Sequence, residues 1–330
     1  MLHWLICWVA TAGLSPALLA QQASEQNVSA EDQRTNVQAG HSVGQNAQTY
    51  TLDYSITTGL LYDNSLTISE LDQSSDEGDS ALLFKAKADG RWQAAEHITI
   101  KGGYTYQAKR HQDLDTFDLQ VQQLYVDAGL ALRGSTLGAS HHFADANLDN
   151  DSFLTLNQST LYFSRLFEQR YFVRAFADYK EKDFATDNRR NAASPGIGGD
   201  AYVFFDGGRR YLSVGLTLEK EDARSNLYDY DAVAFRSTLS QKFSLAGKLN
   251  QLKLAWRYQD RDYSAMGSAF AADSTMVRAD IRRTSELIWE LAYNPYLSVN
   301  GKLEHGDYRS NLPSAEYKQL VTSIGLRADF

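Results

Sequence analysis

The feature that most constrains this chain is an alternation of apolar and polar residues. It is kept for ten or more positions at a time, and the segments that show it are joined by connections of very unequal length. Residues 317–330 display it most plainly. Leu320, Thr322, Ile324, Leu326, Ala328 and Phe330 form one series, apolar or small once past Lys318. Gln319, Val321, Ser323, Gly325, Arg327 and Asp329 form the other. This is a period-two strand with one greasy and one wet face. A soluble domain gains little from such a strand ending on an outward Phe. A barrel in lipid does gain, because its outer face sits in hydrocarbon.

The same pattern recurs along the chain. Tyr50, Leu52, Tyr54, Ile56, Leu60 and Tyr62 share one face of the first strand, with Thr51, Asp53, Ser55 and Thr57 on the other. Further strands are predicted over 81–93, 98–107, 117–132, 135–143, 153–166, 170–184, 200–205, 211–222, 228–243, 251–263, 274–293 and 297–308. A change of phase near Gln122 and Gln123 predicts a bulge. The total is about fourteen, an even number as in bacterial single-chain barrels. Short connections (94–97, 133–134, 167–169, 206–210, 244–250, 294–296) alternate with long ones (63–80, 144–152, 185–199, 264–273). That is the rhythm of periplasmic turns and extracellular loops. Pro195 and Pro313 fall in expected outer loops and Pro295 in a tight turn, so no proline interrupts an expected strand. Phe184, Tyr263 and Tyr308 each follow an Asp at an expected rim, as interfacial aromatic girdles do. The fold class is therefore all-β, a transmembrane antiparallel β-barrel; a soluble sandwich or propeller would show shorter strands.

The N-terminal region differs. Residues 1–20 hold an apolar run too short to span a bilayer and read as a secretory signal peptide. Residues 21–47, rich in Gln, Asn, Ser and Ala, read as a flexible periplasmic leader, and 48–330 as the barrel. The single cysteine, Cys7, lies in the signal, which leaves no disulfide framework or thiol chemistry. The net charge of −9 argues against nucleic acid as a partner.

The terminal Phe, with apolar residues at every second position before it, resembles the closing strand of Gram-negative outer-membrane barrels. That resemblance implies that Phe330 is an assembly signal read by the barrel assembly machinery, in the outer membrane and against its lipid. Tyr62-Asp63-Asn64-Ser65, Ser74-Ser75-Asp76, the rim aromatics, Arg278-Ala279-Asp280 and Asp329-Phe330 resemble the barrel domain of surface lipoprotein assembly modifiers. The resemblance implies a fourteen-stranded barrel that helps surface proteins cross the outer membrane. Those proteins usually carry tetratricopeptide repeats before the barrel, where this chain has only the polar leader, and no functional residue carries over.

Chemistry is expected in the lumen. Arg278, Asp280, Arg282, Glu286 and Glu290 occupy the even, inward series of their strand, opposite Val277, Ala279, Ile281, Leu287, Trp289 and Leu291. Lys253, Arg257 and Arg261 line the strand before it, and Lys302 and Glu304 the strand after. Mixed charges suit either a hydrated channel or a lumen filled with ion pairs, and no sign dominates. Ser140, His141, His142 and Asp145 suggest hydrolysis, but the two histidines point to opposite faces and no Ser sits in a glycine elbow. Asp145, Asn147, Asp149 and Asp151 mimic the first ligands of a calcium loop, but Asn150 stands where the loop needs Gly and no Glu closes it. No enzyme activity, metal or cofactor is expected. The sequence predicts a pore or translocation conduit for an unidentified substrate or client protein. The alternatives are a non-conducting barrel that presents loops for binding and, third, an outer-membrane hydrolase.

Overall fold

The computed structural model describes residues 50–75, 77–266 and 277–330. The expected signal peptide and leader lie outside the described residues. Fourteen strands close into one antiparallel barrel in simple up-and-down order. They are β1 (Tyr50–Asp63), β4 (Asp79–Ala95), β5 (Ile98–His111), β6 (Leu119–Leu132), β7 (Ser135–Leu148), β8 (Asp151–Phe167) and β9 (Tyr171–Phe184). The ring continues through β10 (Ala192–Phe205), β11 (Arg210–Ala223), β12 (Tyr230–Leu245), β13 (Lys248–Met266), β14 (Val277–Asn294), β15 (Leu297–Ser310) and β16 (Tyr317–Asp329). Two short strands, β2 (Thr67–Ile68) and β3 (Gln73–Ser74), pair inside the first connection. The seam joins β1 to β16 with unbroken register from Ser55 opposite Asp329 to Asp63 opposite Val321. Beyond it, the Phe330 amide donates to the Tyr54 carbonyl at 2.9 Å. Closure leaves no free edge, which is how a sheet satisfies its backbone inside lipid.

Alternation explains both surfaces. Outward positions expose large apolar side chains all round the ring: Leu60, Leu124, Leu161, Ile197, Leu216, Leu254, Leu287 and Ile324 are each more than a third exposed. A continuous apolar girdle of this kind is not tolerated in water, and hydrocarbon covers it without cost. No described helix is long and apolar enough to cross a membrane. The barrel strands run from 13 to 19 residues. A tilted strand needs only about 9–11 to cross a bilayer, so the walls rise above the apolar girdle.

Connections at one rim are tight. The Arg133–Gly134 and Ala246–Gly247 pairs have positive φ at both residues (42° and 83°; 51° and 74°), the backbone of type I′ hairpins. We call this the turn rim, and the other the loop rim.

Several expected features change at the loop rim. The expected long loop at 144–152 is a hairpin: β7 runs to Leu148 and β8 starts at Asp151, with Asp149 and Asn150 at φ 49° and 65°. The expected loop at 185–199 is shorter, because β10 begins at Ala192 and carries Pro195 within it. Pro195 pairs with Tyr179 of β9, while the β10–β11 ladder has no pairs at Ser194 and Pro195. The proline, lacking an N–H, is tolerated where the ladder lapses. The expected bulge at Gln122 and Gln123 is absent, since β6 keeps continuous register with both neighbours. What changes along β6 is the medium on each side. Near the loop rim Leu119 and Val121 face in while Gln120 and Gln122 face out; deeper, Leu124 and Val126 face out and Asp127 faces in. The expected loop at 264–273 lies partly outside the described residues.

Candidate functional site: the lumen and its inserted hairpin

Inward positions build a wall of paired charges. Lys253, Arg261, Asp280, Glu286, Lys302 and Glu304 are buried on the interior face, and Arg257, Arg278, Arg282 and Glu290 are partly buried there. Glu286 is flanked by Arg257 and Lys302, the latter at 3.6 Å, and Lys302 also meets Glu304 at 2.5 Å. Arg278 grips Asp280. Other strands contribute as much. Lys180 lies between Asp178 and Glu219, and Lys182 pairs with Glu221, which also accepts from Ser194 and Tyr230. Arg236 meets Asp200 at 2.5 Å across β10, β11 and β12. Removing one partner from such a buried pair leaves an uncompensated charge, which costs about 3–5 kcal/mol.

The loop between β1 and β4 does not stand out from the rim; it turns into the barrel. At its root the Asp63 carboxylate accepts from the Ser65 amide (3.1 Å) and from Gln319 of β16 (2.7 Å). Gln319 also donates to the Ser65 carbonyl, and the Ser75 amide donates to the Leu66 carbonyl at 2.7 Å. These bonds fold the chain back on itself, and β2 and β3 then form a minimal hairpin closed by Leu71 N–H to the Ile68 carbonyl. Ile68 and Leu71 pack against Leu119, Val121, Ala144, Ala146, Leu154, Leu156 and Phe184, the inward apolar side chains of β6 to β9.

The far end of the hairpin is latched by charge. Both Asp72 oxygens accept from the Arg278 guanidinium, at 2.7 and 3.0 Å, and one also accepts from Arg190 at 3.0 Å. Arg190 donates as well to the carbonyls of Glu70 (2.6 Å) and Leu71 (3.4 Å). Burial pushes the Asp72 carboxyl up, but the bonds from Arg278 and then Arg190 outweigh it and hold it at about 2. Glu70, beside it, is pushed above the usual carboxylate range by burial. Arg190 sits in the connection between β9 and β10, and β10 stands seven strands from β1 in either direction round the ring. The hairpin therefore crosses the loop-rim end of the lumen from wall to opposite wall.

No protein-family model and no curated protein matches the chain. Among solved structures, outer-membrane expressed OmpT of Vibrio cholerae superposes with a TM-score of 0.51 at 12% identity, over 87% of this chain and 99% of that one. A loop-deletion mutant of the same protein gives 0.50 at 10% identity, over 86% and 100%. The fold is that of an outer-membrane barrel. At these identities the likeness extends to the barrel and not to any site.

Within this barrel the remaining sequence candidates do not converge. His142 is buried and stacks on Tyr125 (centroids 5.5 Å apart), while His141 faces out and bonds Ser159 at 3.0 Å. Asp127, an interior carboxylate near them, accepts from Tyr162 at 3.0 Å. Asp145, Asn147, Asp149 and Asp151 are strung along the β7–β8 hairpin rather than wrapped as a loop, and Asp145 accepts from Thr155 at 3.4 Å. Among the described residues no three His, Cys, Asp or Glu side chains are grouped to hold a metal. The hairpin was the feature the sequence reading missed. Its signal was Leu66, Ile68 and Leu71, three aliphatic residues in a segment otherwise acidic and Ser-rich.

Proposed function

We propose that this chain is a pore of the Gram-negative outer membrane whose passage is restricted by the inserted hairpin at 66–74. The observation that carries the reading is the combination of an apolar exterior and a charged interior in a closed fourteen-strand wall. A barrel with no transport role has no physical need for an interior lined with Lys180, Lys182, Lys253, Arg257, Arg261 and Lys302. Apolar filling of similar volume is often as stable as buried ion pairs. On this reading the partners are membrane lipid, the barrel assembly machinery acting on the Phe330 strand, and a small solute. The N-terminal leader lies in the periplasm and the loop rim faces outward.

The resemblance to surface lipoprotein assembly modifiers supports a translocation conduit instead. The hairpin speaks for small solutes over folded clients, because it spans the mouth and is tied on both sides. A non-conducting barrel is the second reading, and the same hairpin favours it. We assign no catalytic role: the interior Asp127 accepts from Tyr162, and His142 stacks on Tyr125. Single-channel recording in planar bilayers tests the proposal. Discrete steps are expected for the wild-type chain, and larger steps when 67–74 are replaced by two glycines. Silence from both proteins, with heat-modifiable mobility showing that the barrels have closed, would refute the pore.

A further inference from the structure

The exterior of the barrel changes character on β14, β15 and β16 as it approaches the loop rim. Arg283 of β14, Asp307 of β15 and Lys318 of β16 stand opposite one another in one registered row, and Arg309 follows two residues along β15. All four belong to the outward series of their strands, in line with Leu287, Leu303 and Leu320. Those exposed leucines lie on the turn-rim side of the row, within about 13 Å along a strand. The cations therefore sit where the apolar girdle gives way to headgroups. At mid-depth an arginine on the lipid face is costly; near the interface it is not.

These side chains are open to whatever surrounds the barrel. Arg283 is 39% exposed and Arg309 58%, and Lys318 is exposed too. Both guanidiniums share Asp307, at 3.7 Å from Arg283 and 3.1 Å from Arg309. Among the described residues the Lys318 ammonium has no ion-pair partner. Asp260, across β14 on β13, accepts from the Tyr258 hydroxyl at 3.0 Å and makes no ion pair with these cations among the described residues. One shared carboxylate thus answers three cations. The next strands are the reverse: near the loop rim the outward positions of β11 to β13 carry Asp222, Asp231, Asp260 and Asp262, with Lys220 as their single cation. A basic patch beside an acidic arc is not a uniform interfacial girdle. It favours one place on the circumference for an anion held at headgroup level.

From this we infer that the exterior of β14 to β16 at the loop rim is a binding site for the phosphate of a membrane lipid, held by Arg283, Arg309 and Lys318. Guanidinium forks match phosphate oxygens in pairs, and a lysine adds a point charge. The occupant is a lipid rather than a soluble anion because Leu287, Leu303 and Leu320 continue the site into hydrocarbon, where acyl chains lie. Asp307 aligns the two arginines and moderates their charge. The site stands apart from the pore reading. Only its leaflet, the outer one, rests on the orientation given there.

The test titrates the full chain, refolded in detergent, with phosphatidic acid, phosphatidylcholine or diacylglycerol of the same acyl chains, and reads bound lipid by native mass spectrometry. Phosphatidic acid, a phosphate monoester, should be retained at least about fivefold more tightly than zwitterionic phosphatidylcholine, and diacylglycerol not at all. Arg283→Gln, Arg309→Gln and Lys318→Gln should each weaken phosphatidic acid about fivefold. Lys220→Gln, on the acidic arc, should leave it unchanged. Asp307→Asn should tighten it, since the negative charge nearest the phosphate is gone, and this gain cannot be mistaken for a failure to fold. Equal retention of phosphatidic acid and phosphatidylcholine, an equal loss in Lys220→Gln, or no tightening in Asp307→Asn overturns the inference. So does displacement of the lipid by millimolar inorganic phosphate, or a dimer that Lys318→Gln abolishes with no lipid adduct. The readout involves no current, so a silent barrel that binds the lipid keeps the site and loses the pore, and a conducting barrel that does not bind it keeps the pore and loses the site.

Discussion

The two walls that receive the hairpin differ in kind. The β6 to β9 wall offers Leu119, Val121, Ala144, Ala146, Leu154, Leu156 and Phe184, and takes Ile68 and Leu71. Arg278 of β14, with Arg190 from the β9–β10 connection, takes Asp72. The first contact is non-directional and indifferent to salt. Full burial of an aliphatic side chain is worth about 1.5–3 kcal/mol. The second is a directional charge latch of comparable size, about 1.5–3 kcal/mol for hydrogen bonds to a charged group. It responds to pH and, where water enters, to ionic strength. A loop secured both ways is released in part when one anchor is lost and fully when both are, and the two anchors can be told apart by what loosens each.

Replacing 67–74 by two glycines removes both anchors at once and should produce the largest change, a several-fold rise in single-channel conductance. An unchanged conductance would mean that the hairpin does not lie in the current path. Next in size is Leu71→Asp, which sets a carboxyl group without a hydrogen-bond partner against the apolar wall, at a cost of about 2–7 kcal/mol even when it is protonated. The hairpin should then be held by the charge latch alone, so labelling of a Ser69→Cys reporter should rise from 0.1 M to 1 M KCl. Labelling that does not respond to salt would show that the charge latch is not what remains after Leu71→Asp.

How far these walls were legible in the sequence depends on range. The barrel was legible because alternation is local: Leu320 to Phe330 declare their faces without reference to the rest of the chain, and the tight turns at Arg133 and Ala246 mark one rim. Loop boundaries were less so. Pro195, Gly196, Gly198 and Gly199 look like a loop, yet they lie in β10 because the lumen is crowded there. A Cβ at Gly196 would meet the Asp178 carboxylate at 2.7 Å, and one at Gly198 would meet the Phe176 ring at 2.5 Å. The interior charges were legible as facing inward, but which of them pair was not. Glu286 reads only as one of the inward series of its strand, whereas it sits between Arg257 and Lys302 and is buried. The hairpin latch was not legible at all, because Asp72 finds Arg190 and Arg278 at separations of 118 and 206 residues. Nothing in a local pattern reports a meeting that only closure of the barrel creates.

Asp72→Asn isolates the charged wall. The neutral amide keeps the shape and still accepts one hydrogen bond, so the loss should be smaller than for Leu71→Asp, about 1.5–3 kcal/mol of latch energy. Frequent short openings are expected where wild type gives rare ones, since Ile68 and Leu71 remain seated. Opening statistics identical to wild type would show that the apolar anchor alone holds the hairpin.

The smallest effect, and the one that most sharply separates the walls, is pH. In the inserted hairpin the Asp72 carboxyl is held at about 2, against 3.8 for an ordinary aspartate. Because the inserted value is the lower one, the latch is at full strength above about pH 4 and is lost as pH falls through about 2. A drop of that size is worth roughly 2 kcal/mol. Glu70 acts in the opposite sense. Burial holds its carboxyl above the usual range, so protonation favours the inserted hairpin, and acidification from neutrality first tightens it. Asp280 shares Arg278 and competes for the same guanidinium, and Arg282, Lys182 and Arg261 face Glu70 from β14, β9 and β13. The apolar wall contributes nothing that titrates. Open probability should therefore stay level or dip between pH 7 and 4, then rise toward pH 2. In Asp72→Asn the rise should vanish while the dip survives. In Glu70→Gln the dip should vanish while the rise survives. A rise that begins near pH 6, or one that persists in Asp72→Asn, would place the acid-sensitive contact elsewhere in the lumen.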